Sequence, residues 1–153
     1  MKVRLLVIGR TKEAYAVEGV NHFAERVRRV LPFEIVELPD EKTKGPGQKD
    51  REAERLLAAL KADDFAVALD EHGKSLRSVE FARFVESRMN AGTRSLSFLI
   101  GGPDGHGDAV LKQAGLVLSL SPMTFPHDLA RVIFTEQLYR AVSILRHEPY
   151  HHE

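Results

Sequence analysis

The chain predicts an α/β fold in which a mainly parallel sheet is flanked by helices. Three observations carry that expectation. Short apolar runs rich in branched residues alternate with amphipathic segments, the pattern of strand–helix–strand units. Two of those runs end in loops built of glycine and proline, where open sheets of this class place a ligand. Neither an internal repeat nor a composition shift divides the 153 residues, which read as one domain, 1–153.

The elements follow in order. Val3 to Ile8 is the first strand, ended by Gly9. A helix follows, with Tyr15, Val20, Phe23, Ala24, Val27 and Leu31 spaced for one inner face. Phe33 to Leu38 is the second strand, and the polar, breaker-rich segment Asp40 to Lys49 reads as a mobile loop. Asp50 to Leu60 resumes as a helix with Ala53, Leu56, Leu57 and Leu60 on one side. Phe65 to Leu69 is the third strand and Asp70 to Lys74 its exit loop; Ser78 is the expected N-cap of a helix through Asn90. Leu96 to Ile100 and Leu116 to Leu120 supply the fourth and fifth strands, and a last helix spans Pro126 to Leu145. That helix carries two apolar stripes, Leu129, Val132 and Ile133 on one and Phe134, Leu138, Ala141, Val142 and Leu145 on the other. A helix covering only its own sheet needs one stripe, so the second fits either a partner subunit or deep burial within one chain.

The composition excludes several functions. The absence of cysteine removes disulfide and thiolate chemistry. Twenty-two basic against twenty-two acidic residues argue against a protein that coats nucleic acid non-specifically. The first apolar run, Leu5 to Ile8, is too short for a secretory signal, and no stretch approaches membrane-spanning length, so a cytoplasmic setting and no membrane partner are expected. The first strand is followed by Gly9-Arg10-Thr11-Lys12, not by a dinucleotide fingerprint, which argues against a flavodoxin-like or Rossmann redox protein. Gly45-Pro46-Gly47-Gln48-Lys49 lacks the spacing of a phosphate loop. Asp104-Gly105-His106-Gly107-Asp108 begins like a calcium loop but has Gly115 where the closing glutamate belongs. The tail His151, His152 and Glu153, with Glu148, has no fixed scaffold for a metal, so no metal is expected.

The loops remain. In Gly101-Gly102-Pro103-Asp104-Gly105 the glycines remove side chains where backbone approaches something closely, although such a run also serves as a plain strand-to-helix turn. The loop Ser121-Pro122-Met123-Thr124-Phe125-Pro126-His127 holds two large apolar residues between two prolines. An apolar wall beside free backbone amides suits a flat heterocycle.

Taken together, LIGGPDG from Leu99, LSLSPMTFPH from Leu118, EQLYRA from Glu136 and PYH from Pro149 resemble the SPOUT-class (α/β-knot) methyltransferases. Among these they resemble the ribosomal RNA large subunit methyltransferase H family, over the whole length of the chain. The resemblance implies a C-terminal trefoil knot, which backbone rules alone would never propose, and a homodimer. It implies S-adenosylmethionine as methyl donor, held by Leu69, Gly101, Leu120, Ser121, Pro122, Met123, Thr124 and Phe125. It implies methylation of N3 of a pseudouridine in a hairpin loop of 23S rRNA within assembled ribosomes, and no DNA partner.

Methyl transfer to an imide nitrogen needs orientation and a way to lose the imide proton. His127 and His151 have suitable intrinsic proton affinity, Arg131 and Arg140 suit phosphates or base carbonyls, and Tyr150 suits stacking on a splayed base. Each has a plainer alternative: His127 as a helix cap, Arg140 paired with Glu136 one turn back, Tyr150 docking the tail on its own domain. His152 stands where the family that the chain resembles often carries Arg or Lys, which makes any phosphate contact there weaker and pH-dependent. A basic surface near the last helix and tail is expected. The competing function is a non-catalytic ribosome-associated protein that retains the fold.

Overall fold

The computed structural model describes residues 1–152. The elements are β1 (Lys2–Ile8), α1 (Ala14–Arg28), β2 (Phe33–Leu38), α2 (Gln48–Ala59), β3 (Asp64–Ser75), α3 (Ser78–Asn90), β4 (Ser95–Ile100), α4 (Asp108–Gln113), β5 (Leu116–Ser119) and α5 (His127–Leu145). All strand pairings are parallel, in the order β2-β1-β4-β3-β5. Strand alternation divides the core between the two faces. Val3, Leu5 and Val7 of β1, with Leu96 and Phe98 of β4, face α1, α3 and α5; Leu6, Ile8 and Leu99 face α2 and α4. Phe98 anchors the thicker side, its ring 4.6 Å from Phe134 of α5 and 5.9 Å from Phe81 of α3.

Several boundaries differ from expectation for physical reasons. On α1 the inner face is Ala16, Val20, Ala24 and Val27, and Tyr15 is 54% exposed. The segment before α2 is exposed from Lys42 to Gly47 but anchored at its start, where buried Glu41 accepts from Arg51 Nε at 2.9 Å and Arg55 Nη2 at 3.1 Å. α2 also begins earlier than Asp50, after Gly47 at φ +83°. The segment after Leu69 is a continuation of β3 with a register shift, in which Leu69 and Lys74 both lie opposite Leu118. Gly73 permits this, since a Cβ there would come within 2.6 Å of the Val117 carbonyl oxygen. Ser78 is the first helical residue of α3 and not its cap; its hydroxyl donates to Gln137 Oε1 at 2.8 Å, while Glu80 accepts the Arg77 backbone N–H at 2.7 Å.

Two long-range contacts fix α5. Asp128 Oδ2 accepts the backbone N–H groups of Lys12 at 2.9 Å and Glu13 at 2.8 Å, capping α1 from another element. Burial alone would raise the Asp128 carboxyl, but these donors and Arg131 outweigh it and hold it below the usual range. Of the stripe Leu129, Val132 and Ile133, Val132 packs on α1, where a Cβ on Gly19 would lie 3.0 Å from Val132 Cγ1. Among the described residues no helix is long and apolar enough to cross a membrane.

Candidate functional site

A cavity of about 500 Å³ opens at the carboxyl ends of β4 and β5 and at the irregular middle of β3. Its walls come from the two loops singled out by composition, Ile100 to His106 on one side and Leu120 to Phe125 on the other, with Leu69 to His72 between them. Of the residues assigned to the methyl donor, Leu69, Gly101, Leu120, Ser121, Met123, Thr124 and Phe125 line it, and exposed Pro122 does not.

The glycine turn is shaped by contacts no larger residue would permit. A Cβ on Gly101 would come within 2.6 Å of the Gly105 carbonyl oxygen, and one on Gly102 within 2.5 Å of Glu52 Oε1. Gly105 closes the turn at φ +80°, its N–H donating to the Gly102 carbonyl at 3.0 Å. The opposite loop is held by Ser121 Oγ, which accepts the Met123 N–H at 3.0 Å, and by Thr124, whose hydroxyl donates to Glu71 Oε2 at 2.5 Å. Met123 is 73% exposed, an apolar side chain at the cavity mouth.

These residues fit S-adenosylmethionine. The volume lies within the ~300–1,000 Å³ of small-molecule sites. Leu69, Leu120 and Phe125 supply apolar walls for a purine, and the glycine cradle lets polar parts of a ligand approach bare backbone. Among the described residues no cluster of His, Cys, Asp or Glu has the arrangement of a metal site.

His106 belongs to this site and was not singled out from sequence. It is buried, 4% exposed, with Nε2 3.0 Å from the Leu99 carbonyl oxygen. Burial pushes its proton affinity down, against the pull of that carbonyl, so the neutral ring donates there through Nε2–H. The only sequence signal was its place in the glycine run. Glu52 was likewise missed: nothing in a polar helix pattern shows that one glutamate, 2% exposed, lies beneath the glycine turn.

The residues expected to handle the acceptor separate into three groups. His127 lines the cavity, half-buried; burial and then Arg131 push its proton affinity down. The helix cap next to it is Pro126. Arg131 corrects the expectation of a phosphate ligand. Its side chain is 1% exposed and donates through Nη2 to the Ile8 carbonyl at 2.7 Å and through Nη1 to Thr11 Oγ1 at 2.8 Å. The third group is the tail. His147, at φ +58°, ends α5 in a Schellman turn, with Glu148 N–H on Ser143 O at 2.9 Å and His147 N–H on Ile144 O at 3.1 Å. The reversed chain lays Tyr150 against the helix, its hydroxyl donating to Glu136 Oε1 at 2.9 Å and its ring 4.6 Å from Tyr139. Arg140 lies 4.8 Å from the Tyr150 ring centroid, donates to Glu136 through Nε at 3.0 Å, and has Nη1 3.2 Å from His151 Nδ1. Burial, then Glu136, raises the Tyr150 phenol. Glu153 lies outside the described residues.

His127 and Arg140 sit on one helix, which at ~1.5 Å per residue places them about 20 Å apart along its axis. One chain therefore does not bring the cavity histidine and the tail group together.

A family model described as "Predicted SPOUT methyltransferase" matches residues 1–151. The chain is 44% identical over 157 residues, covering all of both proteins, to "Ribosomal RNA large subunit methyltransferase H" of Parabacteroides distasonis. It is 46% identical over 154 residues to a protein of the same name from Trichlorobacter lovleyi, covering 99% of this chain and all of that one. In structure it is similar to a probable methyltransferase from Bordetella pertussis Tohama I, with a TM-score of 0.59 at 15% identity over 92% of this chain and 96% of that one. A probable methylase family protein from Haemophilus influenzae has the same fold, with a TM-score of 0.56 at 11% identity over 99% of this chain and 70% of that one.

Proposed function

This chain belongs to the SPOUT methyltransferase family, and from that premise we propose that it methylates N3 of a pseudouridine in 23S rRNA on assembled ribosomes. SPOUT methyltransferases use S-adenosylmethionine. The observation that carries the reading is the cavity formed by the Gly101 turn and the Leu120–Phe125 loop, in a chain 44% identical over its whole length to a named ribosomal RNA large subunit methyltransferase.

The donor, when bound, supplies a methyl group on a sulfonium, open to in-line displacement. The chain holds, shields and deprotonates. Leu69, Leu120, Ser121, Met123, Thr124 and Phe125 enclose the donor against the bare backbone of Gly101, with Pro122 stiffening the loop. His127, on the cavity and kept neutral by burial, is the group assigned to take the imide proton from the acceptor nitrogen. Arg131 positions α5 from inside the fold and touches no substrate.

A homodimer completes the site. Because Arg140, Tyr150 and His151 stand far along α5 from His127, the tail of a second copy is the proposed source of the groups that hold the flipped base and its phosphates. The half-buried Leu129 and Ile133 of α5 leave apolar surface for that contact. A C-terminal trefoil knot is part of the same reading. The connection from β4 to β5 passes β3, and the loop after β5 closes the cavity before α5 returns across α1 and α3. A ribosomal substrate places the protein in the cytoplasm.

The test is transfer of labelled methyl from S-adenosylmethionine to ribosomes lacking the modification, with mass-spectrometric mapping. One new methyl at N3 of the hairpin-loop pseudouridine is expected. Methyl on another nucleotide would keep the enzyme class and discard the specificity. Donor binding without transfer would favour the non-catalytic, ribosome-associated alternative.

A further inference from the structure

A second concavity, a groove of about 450 Å³, lies at the β5 edge of the sheet beside α3 and shares no lining residue with the donor cavity. Its floor is aromatic and apolar: the Phe65 and Phe84 rings lie 6.0 Å apart, flanked by Leu76 and Leu116. Gly115 keeps that floor in place, since a Cβ there would come within 2.6 Å of the Phe65 ring. Its rim is cationic. Arg88 lies 4.5 Å from the Phe65 ring centroid, and its Nε is buried without an acceptor. Lys74 and Arg83 are exposed and, among the described residues, carry no ion pair. The one acid in the lining, Glu80, already accepts the Arg77 backbone N–H. In a chain whose net charge is zero, this groove sets Lys74, Arg83 and Arg88 against the single carboxylate of Glu80 beside a stacking surface.

We propose that this groove binds a single-stranded segment of the RNA substrate, one base against the Phe65–Phe84 floor and adjoining phosphates on Lys74, Arg83 and Arg88. It rests on the RNA-methyltransferase reading and adds where the RNA runs outside the methyl-transfer site. Stacking supplies sequence-tolerant grip, and the cations supply attraction that a neutral protein otherwise lacks. Arg88, already fixed in plane over Phe65, is preorganised to present its guanidinium edge to a phosphate. A second copy of the chain fits this face less well, because a two-fold contact would gather the same unpaired cations around its axis.

The experiment measures binding of unmodified ribosomes to the full chain and to Lys74→Ala/Arg83→Ala across a salt series. Calorimetry with S-adenosylmethionine and size-exclusion elution are run on both proteins. The double variant is expected to bind ribosomes about tenfold more weakly near 0.1 M salt, with the slope of log affinity against log salt reduced by about 2. Donor affinity and elution stay unchanged, and Lys74→Arg/Arg83→Lys retains binding. Ribosome affinity equal to wild type overturns the groove assignment and leaves the functional reading intact. A loss accompanied by altered elution overturns it in favour of a copy–copy interface. A wild-type chain that binds S-adenosylmethionine but neither ribosomes nor free large-subunit rRNA overturns the functional reading and this inference together.

Discussion

Arg131 donates to the carbonyl of Ile8 at 2.7 Å, joining the second turn of the last helix to the end of the first strand across 123 residues of sequence. Burial lowers its proton affinity, with Asp128 and then Glu37 acting against that effect. Arg131→Met keeps the volume but orphans the Ile8 carbonyl and the Thr11 hydroxyl. A loss of about 3 kcal/mol is expected in urea denaturation. A variant within about 0.5 kcal/mol of wild type would show that the contact positions nothing.

Gly102 and Glu52 are expected to be coupled. Gly102→Ala sets a methyl 2.5 Å from a carboxylate oxygen that is itself buried, so it costs about 2 kcal/mol and weakens donor binding. In a Glu52→Ala background the same change no longer meets that carboxylate. A double-mutant cycle then returns a coupling of at least about 1 kcal/mol; additive effects would contradict the packing.

His147 occupies a left-handed position where helices usually place glycine, at a cost of about 1–2 kcal/mol. Part of this returns as the greater unfolded-state entropy of glycine, so His147→Gly should stabilise by roughly 0.5–1 kcal/mol. The thermal midpoint should rise by about 1–4 °C for a domain of this size. An unchanged or lower midpoint would argue against the Schellman turn.

His106 links stability to pH. Its folded-state proton affinity is depressed, mainly by burial, so between its ordinary value and the lower folded one the unfolded chain binds more protons. Stability is therefore full above about pH 6.5 and falls as pH drops below it. His106→Leu removes the titrating group. Thermal midpoints of the two proteins should run parallel from pH 8 to about 6.5 and diverge toward pH 5, with wild type falling faster. Curves parallel throughout would mean that His106 does not titrate with unfolding.

His127 should set the acid limb of the reaction. As proton acceptor it must be neutral, and burial places its folded-state proton affinity below the usual histidine range. Turnover thus rises with pH to a plateau reached before about pH 7. His127→Gln is expected to lower kcat about 100-fold and abolish that limb while leaving donor affinity in calorimetry unchanged. A retained acid limb would assign the proton to another group.

Element order was legible because strand and helix periods differ, and both cavity loops were legible because glycine and proline mark backbone that must approach something. What stayed hidden was decided at long range. Nothing near Asp128 in sequence shows that it caps α1, and nothing near Arg131 shows that its guanidinium turns inward to β1. The β3 extension was obscured because Asp70 to Gly73 are polar, and polarity there reflects the cavity mouth, not a lost strand. The sequence leaves Tyr150 either stacking on a base or docking the tail on its own domain, and the Tyr150–Glu136 contact shows that docking. Its distance from His127 was invisible until α5 was drawn to length.

The sheet order has a consequence for biosynthesis. A nascent chain that has emerged as far as Ile100 already contains β2, β1, β4 and β3, which lie side by side, with three helices to cover them. Both loops that wall the cavity are still inside the exit tunnel. β5 pairs with β3 alone, and the loop beyond it is held by Glu71 of that same strand. The donor pocket therefore comes into being late, once β5 and the loop beyond it have joined the sheet, so a chain that has emerged only as far as Ile100 holds no complete donor site.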